Sequence, residues 1–307
     1  MKIFSTNWIA GLLTALLLFT QAGCADRSEP NSHSIPTNRP AGLRVVTSFY
    51  PIYIMTLNVT RNIPGVEVTN MTPPQSGCLH DYQLTPDDLT KLAKAQVLII
   101  NGAGMESFVD RIRAQQPQLK IVEAAKGLTP IKNTSDGEPN PHIWVSLTGA
   151  IQEVENIGGQ LAALDPIHAD QYRANTAEYV SKLDQLRQKM HRSLAGVANR
   201  NIVTFHEAFP YFAREFNLKV AAVVEREPGS QPSAGELAET IQLVKESRVS
   251  ALFAEPQYAA KAAETIARET GSSVYQLDPG VSGRPDADAY LEIMNHNLRV
   301  LEEALKK

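Results

Sequence analysis

The chain has 307 residues with a formal net charge of −4, and 43% of its residues are hydrophobic. This length is enough for two modest domains with buried cores, and the slightly acidic balance gives no indication of nucleic-acid binding. We therefore expect a globular protein without a nucleic-acid partner. Its ligand has to be inferred from the sequence motifs.

The first 23 residues are predicted to be a signal peptide for export. A single charged side chain, Lys2, precedes the apolar run Ile9–Phe19, which ends near the small residues Ala22-Gly23. The run is shorter than the ~20 apolar residues of a spanning helix. Cys24 follows at the place where a bacterial lipoprotein carries its acylated cysteine, although Gln21 stands where an aliphatic residue is usual. We predict lipidation of Cys24, with ordinary cleavage and a soluble secreted protein as the alternative.

Residues 24–42 are predicted to be a flexible tether, because they are rich in Asn, Ser, Pro and Thr and have almost no apolar content. Beyond them, strand-like runs alternate with helical ones, which is typical of parallel sheets. The candidate strands are Leu43–Phe49, Val66–Met71, Gln96–Asn101, Lys120–Val122, Ile202–Thr204, Val220–Val224, Ala251–Ala254 and Val274–Leu277. We predict an α/β fold of two lobes, residues 43–164 and 196–307, each a four-stranded, mostly parallel sheet flanked by helices.

One long helix, residues 165–195, is predicted to join the lobes. From Asp165-Pro166 to Leu194 there is no glycine and no further proline. Larger side chains follow one helical stripe: Tyr172, Thr176, Tyr179, Leu183, Leu186 and Met190. A helix of this length would extend nearly ~40 Å, enough to pass both lobes. The alternative is an ordinary surface helix of one lobe.

Three histidines and one aspartate each follow a predicted strand. They are His80, His142, His206 and Asp278. Ligands of an open α/β sheet bind beyond the carboxyl ends of its strands, so we expect these side chains to meet. Three imidazoles and a carboxylate suffice for a four-coordinate transition metal. We therefore predict a single metal site formed by these four residues.

Two glutamates are candidates for a supporting role or an alternative ligand. Glu255 follows a strand in the same way as Asp278, which we prefer as the direct ligand. Glu207 either hydrogen-bonds a ligand or faces solvent. The pair His206-Glu207 suggests the His-Glu-x-x-His motif of metalloproteases, but Pro210 occupies the position of the second histidine, so that motif is absent.

Cys78 lies two residues before His80, where it could assist in metal binding. The favoured interpretation is a small buried or loop thiol. If Cys24 is lipidated, Cys78 has no disulfide partner. The other histidines are interpreted as solvated or structural: His33, His168, His191 and His296.

Six segments of the chain resemble the solute-binding lipoproteins of zinc and manganese ABC importers (bacterial solute-binding protein family 9). The similarity covers nearly the whole mature chain. Its motifs are Thr47–Pro51, His80–Pro86 (His-x-Tyr-x-x-Thr-Pro), Pro141–Trp144 (Pro-His-x-Trp), Phe205–Phe209, Phe253–Gln257 and Leu277–Pro279. Together these motifs are specific, whereas any one of them alone is weak.

The resemblance implies two α/β lobes joined by one long helix, with the metal in the cleft between them. The family's four ligand positions correspond to His80, His142, His206 and Asp278. The third is histidine in most zinc binders and often glutamate in manganese binders, so His206 favours Zn2+, with Mn2+ as the alternative. The resemblance also implies an extracytoplasmic, membrane-anchored monomer that serves an ABC permease and its ATPase.

The sequence departs from the family pattern in three places. Gly127–Asn140 is short and has no histidine before His142, which removes a metal-scavenging role for this loop. Cys78-Leu79 stands ahead of His80 in place of the usual acid and proline. Val145-Ser146 follows Trp144 where an aspartate and a proline are often found.

Two other functions compete with metal delivery. A zinc hydrolase would use the three histidines and a water, with Asp278 or Glu255 as base. A filled shell of three histidines and an aspartate has no open position for a reactive water, which favours binding and disfavours an enzyme. A surface adhesin, a label sometimes attached to this family, would need a partner-binding patch, and the sequence identifies none.

Overall fold

The computed structural model describes residues 42–133, 137–224, 232–256 and 261–305. The predicted signal peptide and Cys24 lie outside these residues, as does the predicted tether apart from Gly42. Within the described ranges, every helix is too short or too polar to cross a membrane.

The first half of the described chain forms a parallel sheet with helices around it. Its strands are β1 (Leu43–Thr47), β2 (Val66–Asn70), β3 (Val97–Ile100) and β4 (Lys120–Glu123), and its helices are α1 (Tyr50–Val59), α2 (Pro86–Lys94), α3 (Val109–Gln115) and α4 (Leu147–Leu164). The strand order is β2-β1-β3-β4, and every pairing is parallel. All four residues of β3 are buried, as expected of an apolar strand covered by helices on both faces.

The second half repeats this arrangement. After the long helix α5 (Ala169–Leu194) come the strands β5 (Asn201–Thr204), β6 (Lys219–Val223), β7 (Ala251–Ala254) and β8 (Ser273–Gln276), and the helices α6 (Pro210–Glu215), α7 (Ala234–Glu246), α8 (Lys261–Thr270) and α9 (Ala289–Leu305). The order is β6-β5-β7-β8, again with parallel pairings. The predicted fold class is confirmed, and each candidate strand coincides with an observed one to within two residues at either end.

The long helix α5 packs against elements of both halves. It contacts α1 and α4 from the first half and α9 from the second. The predicted stripe faces this interior, since Tyr172, Tyr179 and Met190 are buried. Gly158 on α4 allows close approach, because a Cβ there would collide with the side chain of Thr176. The predicted connection between the lobes is confirmed, with a short 3-10 turn at Pro166–His168 leading into the helix.

Helix caps fix the loops beyond the strand ends. Thr85 and Asp88 form a capping box at the start of α2, and Asp88 also accepts a 2.8 Å hydrogen bond from the Tyr82 hydroxyl. The loop that carries His80 is therefore tied to a helix N-terminus. Ser233 and Glu236 form a second capping box, at the start of α7.

Hydrogen bonds also hold the two halves together across the cleft. Trp144 Nε1 donates to the Pro279 carbonyl at 2.9 Å, and the Tyr290 hydroxyl donates to the Trp144 carbonyl at 2.6 Å. Asn140 Nδ2 donates to the Glu207 carbonyl at 2.7 Å. Two of these bonds join segments that follow strands of the two sheets, and the Tyr290 bond reaches from the first turn of α9 to the 3-10 turn of Trp144.

A buried carboxyl group lies on α4. Glu153 is fully buried, and neither of its carboxyl oxygens has a hydrogen-bond partner among the described residues. Burial raises the pKa of Glu153 well above its usual range, and the nearby Glu106 raises it further. Burial also raises the pKa of Glu106, to about 7, against hydrogen bonds from Ser48 and from two backbone N–H groups. The folded protein therefore holds the proton of Glu153 more tightly than the unfolded chain does.

Replacing Glu153 with glutamine should reduce the pH dependence of stability. In the unfolded chain Glu153 loses its proton above its ordinary pKa, whereas the folded state resists that loss. The wild-type free energy of unfolding therefore falls as pH rises above that ordinary pKa, by up to about 1.4 kcal/mol per pH unit for this group. Glu153→Gln removes that slope. Urea unfolding at pH 5, 6, 7 and 8 measures it. Glu155→Gln, at an exposed position on the same helix, is the control, and an unchanged slope in Glu153→Gln would contradict the assignment.

Candidate metal centre

The three predicted histidines converge in the cleft. His80 lies in the loop between β2 and α2, His142 directly precedes a short 3-10 turn, and His206 follows β5. The Nε2 atoms of His80 and His142 are 3.2 Å apart. The ring centroid of His206 lies 4.7 Å from that of His142 and 5.8 Å from that of His80. Two imidazoles from the first half of the chain and one from the second therefore lie next to one another.

Cys78 joins this group. One ligand atom from each of Cys78, His80, His142 and His206 lies within 4.8 Å of the other three. Sequence reasoning favoured a small buried or loop thiol at Cys78 over a role in metal binding, and that choice stays a prediction. The available signal was its spacing: side chains two residues apart in an extended segment lie on the same side, and the intervening Leu79 is fully buried.

Asp278 lies at the predicted edge but outside this four-membered group. Its Oδ1 accepts a 2.8 Å hydrogen bond from the Gly280 N–H. Its backbone is held on both sides by the Asn297 side chain, which accepts from the Asp278 N–H at 3.0 Å and donates to its carbonyl at 2.7 Å. Burial, and after it the charge of Glu255, raises the pKa of Asp278. Coordination by Asp278 stays a prediction.

The two glutamates differ in their relation to the cluster. Glu255 is buried, with Oε1 3.4 Å from Nδ1 of His206. This position suits a carboxylate that orients a metal-binding imidazole. Glu207 is also buried, so it does not face solvent, and its backbone carbonyl accepts the bond from Asn140.

Asn140 sets the orientation of His142, a role that sequence reasoning missed. Its Oδ1 accepts from the His142 N–H at 3.0 Å and lies 3.1 Å from His142 Nδ1. Its Nδ2 donates to Asn133 and to the Glu207 carbonyl, so Oδ1 is the acceptor and Nδ1 of His142 carries the proton. The lone pair of His142 then lies on Nε2, the atom directed at His80 and available to a metal.

Burial favours the neutral form of His80 and His142. Burial first, and the neighbouring His206 second, lower the pKa of His80 to about 4. Burial lowers the pKa of His142 well below its usual range, with His206 and His80 adding to the effect. Because only a neutral imidazole offers a lone pair, both rings are ready to coordinate at neutral pH without first losing a proton.

The Cys78 thiol and the aromatic rings of Trp144 and Phe49 also lie at or beside the histidine cluster. Burial, and after it the charge of Glu255, raises the pKa of the Cys78 thiol well above its usual value. The ring of Trp144 is fully buried 5.2 Å from that of His142, with Phe49 edge-on against it at 5.1 Å. The apolar wall excludes water from one side of the cluster.

Two parallel-sheet lobes joined by one helix, with buried imidazoles between their carboxyl edges, define a two-lobed solute-binding protein with a candidate metal site. A family model described as "Zinc-uptake complex component A periplasmic", ZnuA, matches residues 45–304, so the chain belongs to this family. The family resemblance stated from the motifs is therefore confirmed, and the matched description is that of an uptake component.

Individual relatives agree with this assignment. The chain is 30% identical to the high-affinity zinc uptake system protein ZnuA of Bacillus subtilis (strain 168), over 97% of this chain and 98% of the relative. Its structure is similar to a mutant of the laminin-binding adhesin Lmb from Streptococcus agalactiae, with 29% identity, a TM-score of 0.79 and coverage of 86% and 100%. It is also similar to FpvC from Pseudomonas aeruginosa in complex with Mn2+, with 30% identity, a TM-score of 0.78 and coverage of 86% and 98%.

Truncating Asn140 should weaken metal binding without removing a ligand. Asn140→Ala frees the His142 ring to rotate and to change tautomer, and we expect zinc affinity to fall by about 10- to 100-fold. Competitive titration against a chromophoric chelator measures the change.

Asn156→Ala is the matched control. Its side chain donates to the carbonyls of Ala124 and Lys126, so the substitution also removes hydrogen bonds within the first half but none to a histidine of the cluster. Equal affinities of the two variants would contradict the role of Asn140.

Proposed function

We propose that the protein captures Zn2+ outside the cytoplasmic membrane and delivers it to an ABC permease and its ATPase. The observation that supports this most is the convergence of three histidines, His80, His142 and His206, from both halves of the chain. Imidazole nitrogen is a preferred zinc ligand. Coordination of one cation by both lobes would link metal capture to the closed arrangement of the cleft.

Binding accounts for the site better than hydrolysis does. Zinc bound by four side chains has no open position for a reactive water, and the cluster offers a fourth donor beside its three imidazoles. Pro210 still interrupts the metalloprotease pattern after His206-Glu207. The zinc hydrolase is therefore the weaker alternative.

Zinc is preferred to manganese because of the donor atoms. Imidazole suits Zn2+, whereas Mn2+ favours sites richer in carboxylate and water oxygen. The Bacillus subtilis relative named for zinc uptake supports the same choice. Mn2+ is the alternative, since a relative of similar fold is described in complex with Mn2+.

Loss of a histidine ligand should abolish tight binding. We expect wild-type protein to bind one Zn2+ with affinity well above that for Mn2+, and to melt at a higher temperature with saturating zinc. His142→Ala and His206→Ala should each lower zinc affinity by more than the roughly 100-fold typical of losing an outer-shell partner. Isothermal titration and thermal unfolding measure these effects.

His191→Ala is the control, because His191 lies on α5 and about half of its side chain is exposed. Elemental analysis of protein purified without added metal adds an independent measurement. Wild-type affinity in His142→Ala or His206→Ala, or melting unchanged by zinc, would contradict the proposal.

Membrane attachment through Cys24 is part of the proposal. A lipid on Cys24, followed by the polar residues 25–42, would hold the binding protein near its permease, and the two-lobed domain would act as a monomer. A single acyl chain anchors only reversibly, so two or more chains are needed for stable attachment.

Removing Cys24 should release the protein from the membrane. We expect wild-type protein in the membrane fraction of the producing cell and Cys24→Ser protein in the soluble extracytoplasmic fraction. Cys78→Ser, which removes the chain's other cysteine, is the fractionation control. Cys24→Ser protein that still sediments with membranes would contradict lipidation at this residue.

A further inference from the structure

We propose that Cys78 is a ligand of the captured metal, so that one thiolate and three imidazoles hold the cation. This inference rests on the proposed function and specifies the donor set of the same site. It assigns the fourth position to Cys78 in preference to Asp278, and it narrows the cargo to divalent cations that accept sulfur, Zn2+ foremost.

The donor atoms of the four side chains need to move only slightly to surround a metal ion. With Zn–N bonds of 2.0–2.1 Å and a Zn–S bond of 2.3 Å, a tetrahedral shell separates nitrogen atoms by about 3.4 Å and sulfur from nitrogen by about 3.6 Å. The His80 and His142 Nε2 atoms are already 3.2 Å apart. One ligand atom of each of the four side chains lies within 4.8 Å of the other three. Shifts of about an ångström would close the shell.

The loop backbone aims Cys78 and His80 at the same point. Gly77 has a φ of +71°, in the left-handed region that favours glycine, and so turns the chain immediately before Cys78. Leu79 is fully buried, and its N–H lies 3.4 Å from the Sδ of Met105. Leu79 thus anchors the segment to the core between Cys78 and His80, whose ligand atoms lie within 4.8 Å of each other.

Asp278 is placed less favourably for this shell. One of its carboxyl oxygens is occupied by the Gly280 N–H, and its backbone is held by Asn297. It is absent from the four-membered group in the cleft. Asp278 therefore lies beside the shell, where its charge favours a cation without a direct bond.

A thiolate changes which cations the site accepts. When the Sγ–metal bond forms, the thiol proton leaves to solvent, and the metal receives a soft, charged donor. Such donors suit Zn2+ and disfavour Mn2+, which prefers oxygen ligands. Cys78 thus determines specificity in addition to binding the metal.

Cobalt absorption tests the assignment directly. All proteins are the full chain carrying Cys24→Ser, so that Cys78 is the one remaining cysteine. With one equivalent of Co2+, we expect the intense near-ultraviolet charge-transfer band of a thiolate–cobalt bond. The band should be absent in Cys78→Ser and retained in Asp278→Asn. The parent spectrum needs no substitution at the site and so stands even if a variant folds poorly.

Competitive titration of Zn2+ and Mn2+ gives the second measurement. We expect Cys78→Ser to lower zinc affinity by at least about tenfold, and by more than Asp278→Asn does. We expect Cys78→Asp to reduce the ratio of zinc affinity to manganese affinity by at least about tenfold. Stoichiometric cobalt binding without the band, or a Cys78→Ser variant with parental zinc affinity, would overturn the inference and leave the proposed function intact. Failure of the parent protein to bind either zinc or cobalt would instead overturn the proposed function, and this inference with it.

Discussion

The burial of imidazoles at the junction of two sheets is the constraint on which the site depends. A buried imidazole favours its neutral form because the charged form loses its hydration, and His142, only 2% exposed, has a pKa well below its usual range. Neutral rings have lone pairs, but each ring nitrogen also needs a defined partner. Asn140 supplies that partner for His142 and leaves Nε2 directed into the cleft. Burial and one amide therefore prepare a ligand before any cation arrives.

The scaffold makes this burial possible. Both sheets are parallel and share one strand order, so each presents its loops at a single carboxyl edge, and α5 packs on helices from both halves. Loops that would otherwise be solvated are fixed by bonds across the cleft, including that from Trp144 to the Pro279 carbonyl. A site assembled from distant segments thus acquires the rigidity that metal coordination requires.

Much of the fold and the location of the site could be predicted from the sequence. Apolar runs bounded by turn residues identify strands, and residues after parallel strands share an edge of the sheet. The distances between side chains could not be predicted, since they depend on how the loops pack after the fold forms. Cys78 shows the difference: its two-residue spacing from His80 was visible, but its closeness to His206 depends on the approach of the second lobe. Asn140 was recoverable, because Asn-Pro-His favours a side-chain bond to the backbone two residues on.

The charges around the cluster explain why a divalent cation belongs there. Glu255 lies 3.4 Å from His206, and its charge contributes to the raised pKa values of both Cys78 and Asp278. Cys78 and Asp278 therefore resist becoming negatively charged beside Glu255. A dication bound among these groups would offset their mutual repulsion. In the proposed site the cation would give up its hydration beside the apolar wall of Trp144 and Phe49, and direct bonds to nitrogen and sulfur would offset that loss. Cations that bond weakly to these donors would keep their water.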